Sequence, residues 1–352
     1  FRITGYSLVI LDLLERSFMN KVLMIGSFLS DKSGTLSISE KIANQLVIPN
    51  VKVTLVSSHK NRLLRLLEIC LFALFGSYNK MHIDTFSGSA FRIVEFSSFF
   101  ARIRQKKIIL TLHGGALPDF YSANPKRVHK LLMKVSLIQS PSYFLKDFFE
   151  RNGLPVNYLP NGINLNVFNY KRGSIGKFSL LWVRAFDRIY NPDLAILSLC
   201  EVKKKYPDAS LTMIGPDKGR MSNTIELIKE MGLGNSVKIL GAVKNEDLPK
   251  YYQTHQVFLN TTSYESFGMA VLEAAACGIP VVSSNVGEIP YLWQHEENMM
   301  IVEGLTAEQF SDAVIKLLDS PDLAERISKN ARIKAEQFDW EVIKKEWTQL
   351  LM

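Results

Sequence analysis

Residues 178–214, FSLLWVRAFDRIYNPDLAILSLCEVKKKYPDASLTMI, read as a strand, a helix and a second strand. Phe178–Val183 is a short apolar run, Asp193 to Lys205 has apolar residues at helical spacing, and Ser210–Ile214 is short and apolar again. Short apolar strands joined through a long helix run parallel, in a sheet covered on both faces. Downstream the rhythm continues with a helix over Ser222–Met231, Val237–Leu240, a helix over Asp247–Tyr252 and Val257–Asn260. Then come a helix over Gly268–Ala276, Pro280–Ser283, a short strand near Met299–Val302, and helices over 306–319 and 321–337. Upstream, Lys21–Ser27, Val51–Val56, Met81–Phe86, Lys107–Leu112, Leu137–Gln139 and Val156–Leu159 alternate with helical stretches over Leu36–Val47, 62–75, Ala90–Arg104 and Tyr143–Glu150. The polar stretch Asn164–Gly176 is the best linker. The expected organisation is therefore one α/β domain over 19–170, a second over 171–337 and a closing helix over 338–352. Residues 1–18 lack the basic start and cleavage pattern of a signal peptide and are expected to lie outside the core fold. A ligand is expected between the carboxyl ends of two such sheets.

At 352 residues, 47% apolar and 22% charged, the chain has ordinary globular usage and enough length for two cores. Its three cysteines, Cys70, Cys200 and Cys277, are widely spaced and form no CxxC pair, which argues against a disulfide scaffold and for a reducing, cytoplasmic setting. Charge is uneven. Residues 1–176 hold 23 Lys and Arg against 10 Asp and Glu, whereas residues 177–352 hold 19 against 24. The first half thus suits an anionic partner. A nucleic acid is not expected, because no recognition motif accompanies the charge. No run of about 20 uncharged apolar residues predicts a spanning helix. The segment 62–75, RLLRLLEICLFALF, reads either as an interfacial helix or as a crossover helix covering the sheet.

Polar and glycine residues collect where strands end. The turn around Gly34, after the first strand, feeds a helix N-terminus but is neither a GxGxxG nor a P-loop. His113 follows the strand Lys107–Leu112 directly, with Gly114 and Gly115 allowing close approach of a ligand. The other histidines have no such setting and no ligand spacing, so no metal site is expected. Arg184 and Arg188 follow Phe178–Val183, and Lys218 lies in the turn after Ser210–Ile214; such cations clamp phosphate oxygens or make surface ion pairs. The densest signal is Tyr264–Val282, YESFGMAVLEAAACGIPVV. Glu273 stands in an apolar, alanine-rich helix and needs a partner there: sugar hydroxyls or a buried arginine. Glu265 lies on the loop before that helix, and the free N–H groups at Gly268–Ala270 suit a phosphate.

Glu265 and Glu273, framed by SYESFGMAVLEAAACGIPVV, resemble the E-x7-E signature of glycosyltransferase family 4. TLHGG at 111–115, LPNGIN with Phe168, GAVKNEDLPKYY at 241–252 and Gly287-Glu288-Ile289-Pro290 extend the resemblance over nearly the whole chain from Lys21. It implies an α/β fold of GT-B architecture: two Rossmann-like, doubly wound domains facing across a cleft, acceptor side first, with a C-terminal helix crossing back. It also implies a retaining, metal-independent transferase that needs no cofactor and takes a UDP- or GDP-linked sugar as co-substrate. Position by position, Glu273 would bind the ribose, Glu265 the donor sugar, and the backbone of Phe267, Gly268, Met269 and Ala270 the sugar and phosphate. Arg184 would neutralise the pyrophosphate, His113 would touch the sugar near the reacting carbon, Gly34 would approach the pyrophosphate, and the base would lie near Gly241–Val243. One departure stands out. The family's lysine five positions after the arginine is missing from RAFDRIYNP, leaving Arg188 or Lys218 to supply the second cation.

The expected acceptor is a saccharide or a lipid-linked sugar in bacterial surface-polysaccharide or lipopolysaccharide synthesis, with peripheral contact to an anionic membrane at its inner face. A sugar-nucleotide epimerase of the same architecture and a catalytically silent transferase-like subunit are the competing readings.

Overall fold

The computed structural model describes residues 20–28, 38–45, 51–57, 59, 61–171 and 177–352. Gly34, residues 1–18 and most of the end of the linker fall outside the described residues.

Each half builds a six-stranded, all-parallel sheet. The first holds β1 (Asn20–Ile25), β2 (Val51–Val56), β3 (Lys80–Thr85), β4 (Lys107–Leu112), β5 (Leu137–Ser140) and β6 (Asn157–Tyr158), in the order β2-β1-β3-β4-β5-β6. Its helices are α1 (Ile38–Gln45), α2 (Arg62–Phe75), α3 (Phe91–Ile103), α4 (Leu117–Ala123), α5 (Pro125–Leu132) and α6 (Tyr143–Arg151). The second sheet holds β7 (Ser179–Val183), β8 (Ser210–Ile214), β9 (Val237–Ile239), β10 (Val257–Asn260), β11 (Val281–Ser284) and β12 (Met300–Val302), in the order β12-β11-β10-β7-β8-β9. With it go α7 (Pro192–Lys205), α8 (Met221–Glu230), α9 (Leu248–Thr254), α10 (Met269–Cys277), α11 (Ile289–Leu292), α12 (Ala307–Asp319) and α13 (Pro321–Glu336). The last helix is α14 (Trp340–Leu351).

The expected α/β class and its two Rossmann-like sheets are thus present, as is the C-terminal helix. The order reverses where β3 leaves β1 in one sheet and where β10 leaves β7 in the other, the positions at which doubly wound sheets open a crevice. Strand burial follows from the composition: all of β7 is buried, including Trp182, and only Lys107 of β4 is exposed. The helix expected over 62–75 is a crossover between β2 and β3. The Asn61 side chain accepts hydrogen bonds from the N–H groups of Leu63 (2.9 Å) and Leu64 (3.3 Å), and only Ile69 and Ala73 are fully buried. Helices α4, α5 and α11 were not foreseen. They are short, and each begins with proline in its first turn, too little length for a helical period to show.

The chain divides into two compact units. Residues up to Pro141, Leu145–Leu159 and Lys344–Met352 form the first; Ser142–Phe144 and Pro160–Ile343 form the second. Helix α14 therefore begins in one unit and ends in the other. In the second, the Trp340 N–H donates to the Ile163 carbonyl at 2.8 Å, and the Ile163 N–H to the Phe338 carbonyl at 2.8 Å. In the first, Trp347 is fully buried and meets His82 edge-on at 5.4 Å. Trp347→Ala should cost about 3–5 kcal/mol of unfolding free energy through the cavity it leaves. Urea denaturation checks this, and an unchanged midpoint would show that the helix does not stabilise the first unit.

Candidate functional site

The second unit gathers charge at the carboxyl ends of β7 and β10. Asn260 closes β10, and its side-chain oxygen accepts from Arg184 Nε at 3.1 Å and Nη2 at 2.9 Å. Its own NH2 group donates to Ser283 Oγ at 2.9 Å, which ties the arrangement to β11. Arg184 Nη2 also pairs with Glu265 Oε2, and both side chains are about nine-tenths buried. The guanidinium lies over the Tyr190 ring, 5.2 Å from its centre. None of these bonds uses Nη1, so two of the five guanidinium N–H groups remain outside this clamp.

Two close backbone approaches hold the cluster. Gly215 turns in where a Cβ would overlap the Arg184 carbonyl oxygen. Gly287, with φ +55°, abuts Glu265 so tightly that a Cβ would overlap its carbonyl oxygen. The neighbouring Glu288 N–H donates to that same oxygen at 3.0 Å. Only glycine tolerates both the space and, at Gly287, the positive φ.

Glu273, in the middle of α10, is 4% exposed. The Tyr252 hydroxyl donates to its Oε2 at 3.3 Å and the Asn245 NH2 group to its Oε1 at 3.4 Å. Burial alone would lower the Arg184 pKa, but the negative field of Glu265, followed by Tyr190, Tyr252 and Glu273, raises it instead. The guanidinium stays charged. Burial and then Glu273 push the Tyr252 hydroxyl far above its ordinary range, and the same two causes push the Cys277 thiol up to about 12. Cys277 is consequently a packed neutral thiol with no reactive character.

The structure thus brings Arg184, Glu265 and Glu273 into one buried cluster. Gly268, with φ +91°, caps α10, and Met269 and Ala270 form its first turn, whose N–H groups have no intrahelical acceptor. The Phe267 side chain turns into the core against Phe338, at 5.7 Å and 79°. The Gly241 carbonyl accepts from the Gly215 N–H at 2.8 Å, and Val243 packs against the same core cluster. Arg188 is exposed and lines a cavity of about 490 Å³ with Asn191, Asp193, Arg220 and Ser263 at the start of α7. Lys218 is exposed on the turn after β8.

In the first unit, His113 follows β4 and is 8% exposed. Its Nε2 lies 3.0 Å from Asp84 Oδ1, and its ring stacks on Phe86 at 5.7 Å. Burial raises the Asp84 pKa, but His113, His82 and a hydrogen bond from Ser39 outweigh it and hold the carboxyl below its ordinary value. Asp84 is then ionised and accepts only, so His113 carries its proton on Nε2. Burial drives His82 down to about 4, keeping it neutral.

Sequence reasoning missed Asn260, Tyr190, Tyr252, Asp84 and Glu288 as members of these clusters. The strand-end rule that singled out Arg184 applies equally to Asn260. Glu288 stands in the Gly287-Glu288-Ile289-Pro290 turn, and its carboxylate accepts from Ser142 Oγ (2.7 Å) and from the N–H groups of Tyr143 (2.9 Å) and Phe144 (2.8 Å). Among the described residues, no group of three or more His, Cys, Asp or Glu side chains is placed to hold a metal ion.

Residues 172–334 match the family model described as glycosyl transferases group 1. The D-inositol 3-phosphate glycosyltransferase of Paenarthrobacter aurescens is 27% identical over 198 residues, which are 53% of this chain and 48% of that protein. The chain therefore spans about half the length of that relative. Among solved structures, Anabaena Alr3699/HepE in complex with UDP-glucose superposes with a TM-score of 0.77 at 17% identity, over 94% of this chain and 99% of the other. Sucrose-phosphate synthase from Thermosynechococcus elongatus gives 0.73 at 19%, over 94% and 98%. These likenesses establish the GT-B fold, and the family match relates the second unit to group 1 glycosyl transferases.

Burial pushes the Glu288 carboxyl up to about 7 against the three hydrogen bonds it accepts. A carboxyl whose folded pKa is raised binds its proton more tightly in the folded state. It therefore adds stability at low pH that is lost as pH climbs from its ordinary value of 4.5 towards 7. Urea midpoints between those two pH values should fall in the wild type and fall less in Glu288→Gln. Parallel slopes in the two proteins would contradict this reading of Glu288.

Proposed function

We propose that the chain is a retaining glycosyltransferase, moving a sugar from a UDP- or GDP-linked donor to a saccharide or lipid-linked acceptor in bacterial surface-polysaccharide or lipopolysaccharide synthesis. The observation that carries this reading is the buried Arg184–Glu265 pair, with Glu273 beside it and the open N-terminus of α10 next to both. A nucleoside diphosphate sugar presents three matching groups. Its ribose diol suits Glu273, a buried carboxylate in the middle of α10. Its sugar hydroxyls suit Glu265. Its diphosphate suits Arg184 Nη1 and the first amides of α10.

The chemistry follows from that placement. The bond between the anomeric carbon and the β-phosphate oxygen breaks, and the acceptor oxygen bonds that carbon from the same face. The acceptor's proton passes to the departing phosphate oxygen, so no separate carboxylate base is needed. Arg184 and the α10 amides hold the negative charge as it develops, a pre-oriented arrangement that costs no reorganisation at the moment of transfer. The relative's name specifies a phosphorylated, anionic acceptor, in keeping with the basic first half of this chain. The Anabaena structure holds UDP-glucose, which makes that sugar nucleotide the first donor to try.

Incubation with a panel of UDP- and GDP-sugars, read by product mass, tests the proposal. Release of nucleoside diphosphate with a sugar-bearing product is expected. An altered sugar nucleotide without acceptor would mark an epimerase, and no turnover of any donor would mark a silent subunit. Arg184→Ala should lower kcat by about two to three powers of ten, roughly 3–4 kcal/mol of transition-state stabilisation. A change confined to KM would make Arg184 a ground-state contact instead. Because protein cations and amides supply the phosphate contacts, activity should persist in excess EDTA. A strict Mg²⁺ or Mn²⁺ requirement, restored by adding the metal back, would overturn this assignment of the phosphate contacts.

A further inference from the structure

Helices α2 and α3 pack side by side on the first sheet and leave two apolar stripes facing outward. On α2 these are Leu64, Leu67, Leu71 and Phe75, spaced three to four residues apart; on α3 they are Phe96, Phe99 and Ile103, at the same spacing. All are exposed, and Phe75 reaches 74%. The opposite faces do the covering of the sheet, through Ile69 and Ala73 on one helix and Phe91, Val94 and Ala101 on the other. The sequence pointed to 62–75 alone; the second stripe becomes visible only once α3 is placed beside α2. Isolated exposed leucines are ordinary, but seven large apolar side chains exposed on two neighbouring helices are the kind of feature that marks an interaction surface.

The charge around the stripes chooses the partner. The two helices carry Arg62, Arg65, Arg92 and Arg102 against two acids: Glu68, whose Oε2 lies 2.9 Å from His59 Nδ1, and Glu95, which receives a two-pronged bond from Arg127 at 2.7 Å. An apolar surface on which arginines outnumber acids is complementary to an anionic lipid surface, where the rings and leucines enter the acyl boundary and the guanidinium groups meet headgroup phosphates. A second copy of the chain would instead bring the same arginines together across a two-fold axis. Among the described residues no helix is long and apolar enough to cross a membrane, so this contact would be peripheral.

We propose that the α2–α3 face is a membrane-docking platform for anionic lipid. The proposal stands apart from the reading of the second unit, since its test involves no sugar nucleotide. The protein is sedimented with phosphatidylcholine vesicles, with and without phosphatidylglycerol, at about 0.1 and 0.5 M salt, between which the screening length shrinks about twofold. The wild type should bind the anionic vesicles at both salt concentrations, weakening at the higher one. Phe75→Ser/Phe99→Ser, at exposed positions, should lose the salt-resistant fraction by tenfold or more with an unchanged circular dichroism spectrum. Arg62→Glu/Arg65→Glu should lose the preference for anionic over neutral vesicles. Absence of binding at low salt would overturn the platform, as would binding that both variants leave intact. A dimer in analytical ultracentrifugation that Phe75→Ser/Phe99→Ser dissociates, without vesicle binding by the wild type, would assign the face to a second copy instead.

Discussion

The second unit is organised around a cation that cannot be left alone. Arg184 is about nine-tenths buried at the end of β7, where an unpaired charge would cost several kcal/mol. Glu265 supplies the countercharge and Asn260 fixes the plane of the guanidinium. Meeting that requirement positions everything nearby. Glu265 holds the loop before α10 against Arg184, Gly287 clears the space behind its carbonyl, and the Glu288 N–H donates to that oxygen. A pair of this kind adds little net stability, and a hydrophobic replacement would often do better. Its retention in a packed unit is easier to understand if a ligand uses the remaining guanidinium hydrogens.

Much of this was legible in the sequence, for reasons that differ by element. The sheets were legible because buried parallel strands leave short, continuous apolar runs, as in LLWV of β7 and IILTL of β4. Arg184, Glu265 and Glu273 were legible because each breaks its local pattern, an arginine at a strand end and carboxylates around an apolar helix. Asp84 was hidden for the opposite reason. Its partner His113 is adjacent only through the parallel register that sets Asp84 opposite Thr111 on β4, and register cannot be read along one strand. Tyr252 fits an ordinary amphipathic pattern on α9, and nothing in that pattern says that its hydroxyl meets Glu273. The α3 stripe was hidden because a helix with two apolar sides looks the same in sequence whether the second side is covered or bare.

The two halves hold their charges by contrasting means. In the second unit a buried cation is balanced by carboxylates. In the first, the buried carboxylate of Asp84 is held by hydrogen bonds from His113 and Ser39, while burial keeps the neighbouring His82 neutral. Asp84 thereby fixes the proton of His113 on the nitrogen it contacts, and the imidazole cannot rotate without breaking that bond. On α2 and α3 of the same unit, arginines outnumber acids beside exposed apolar side chains.

The central claim is that Glu273 and its neighbours receive a nucleoside diphosphate sugar, with the carboxylate on the ribose. Calorimetric titration with UDP and with its 2′,3′-dideoxy analogue, in the wild type and in Glu273→Ala, tests it most directly, with GDP and its analogue run in parallel. The account predicts that the wild type prefers the natural ribose by tenfold or more for at least one base, and that folded Glu273→Ala loses that preference. Equal affinity for the two sugars in the wild type, or an unchanged preference in the variant, would contradict it.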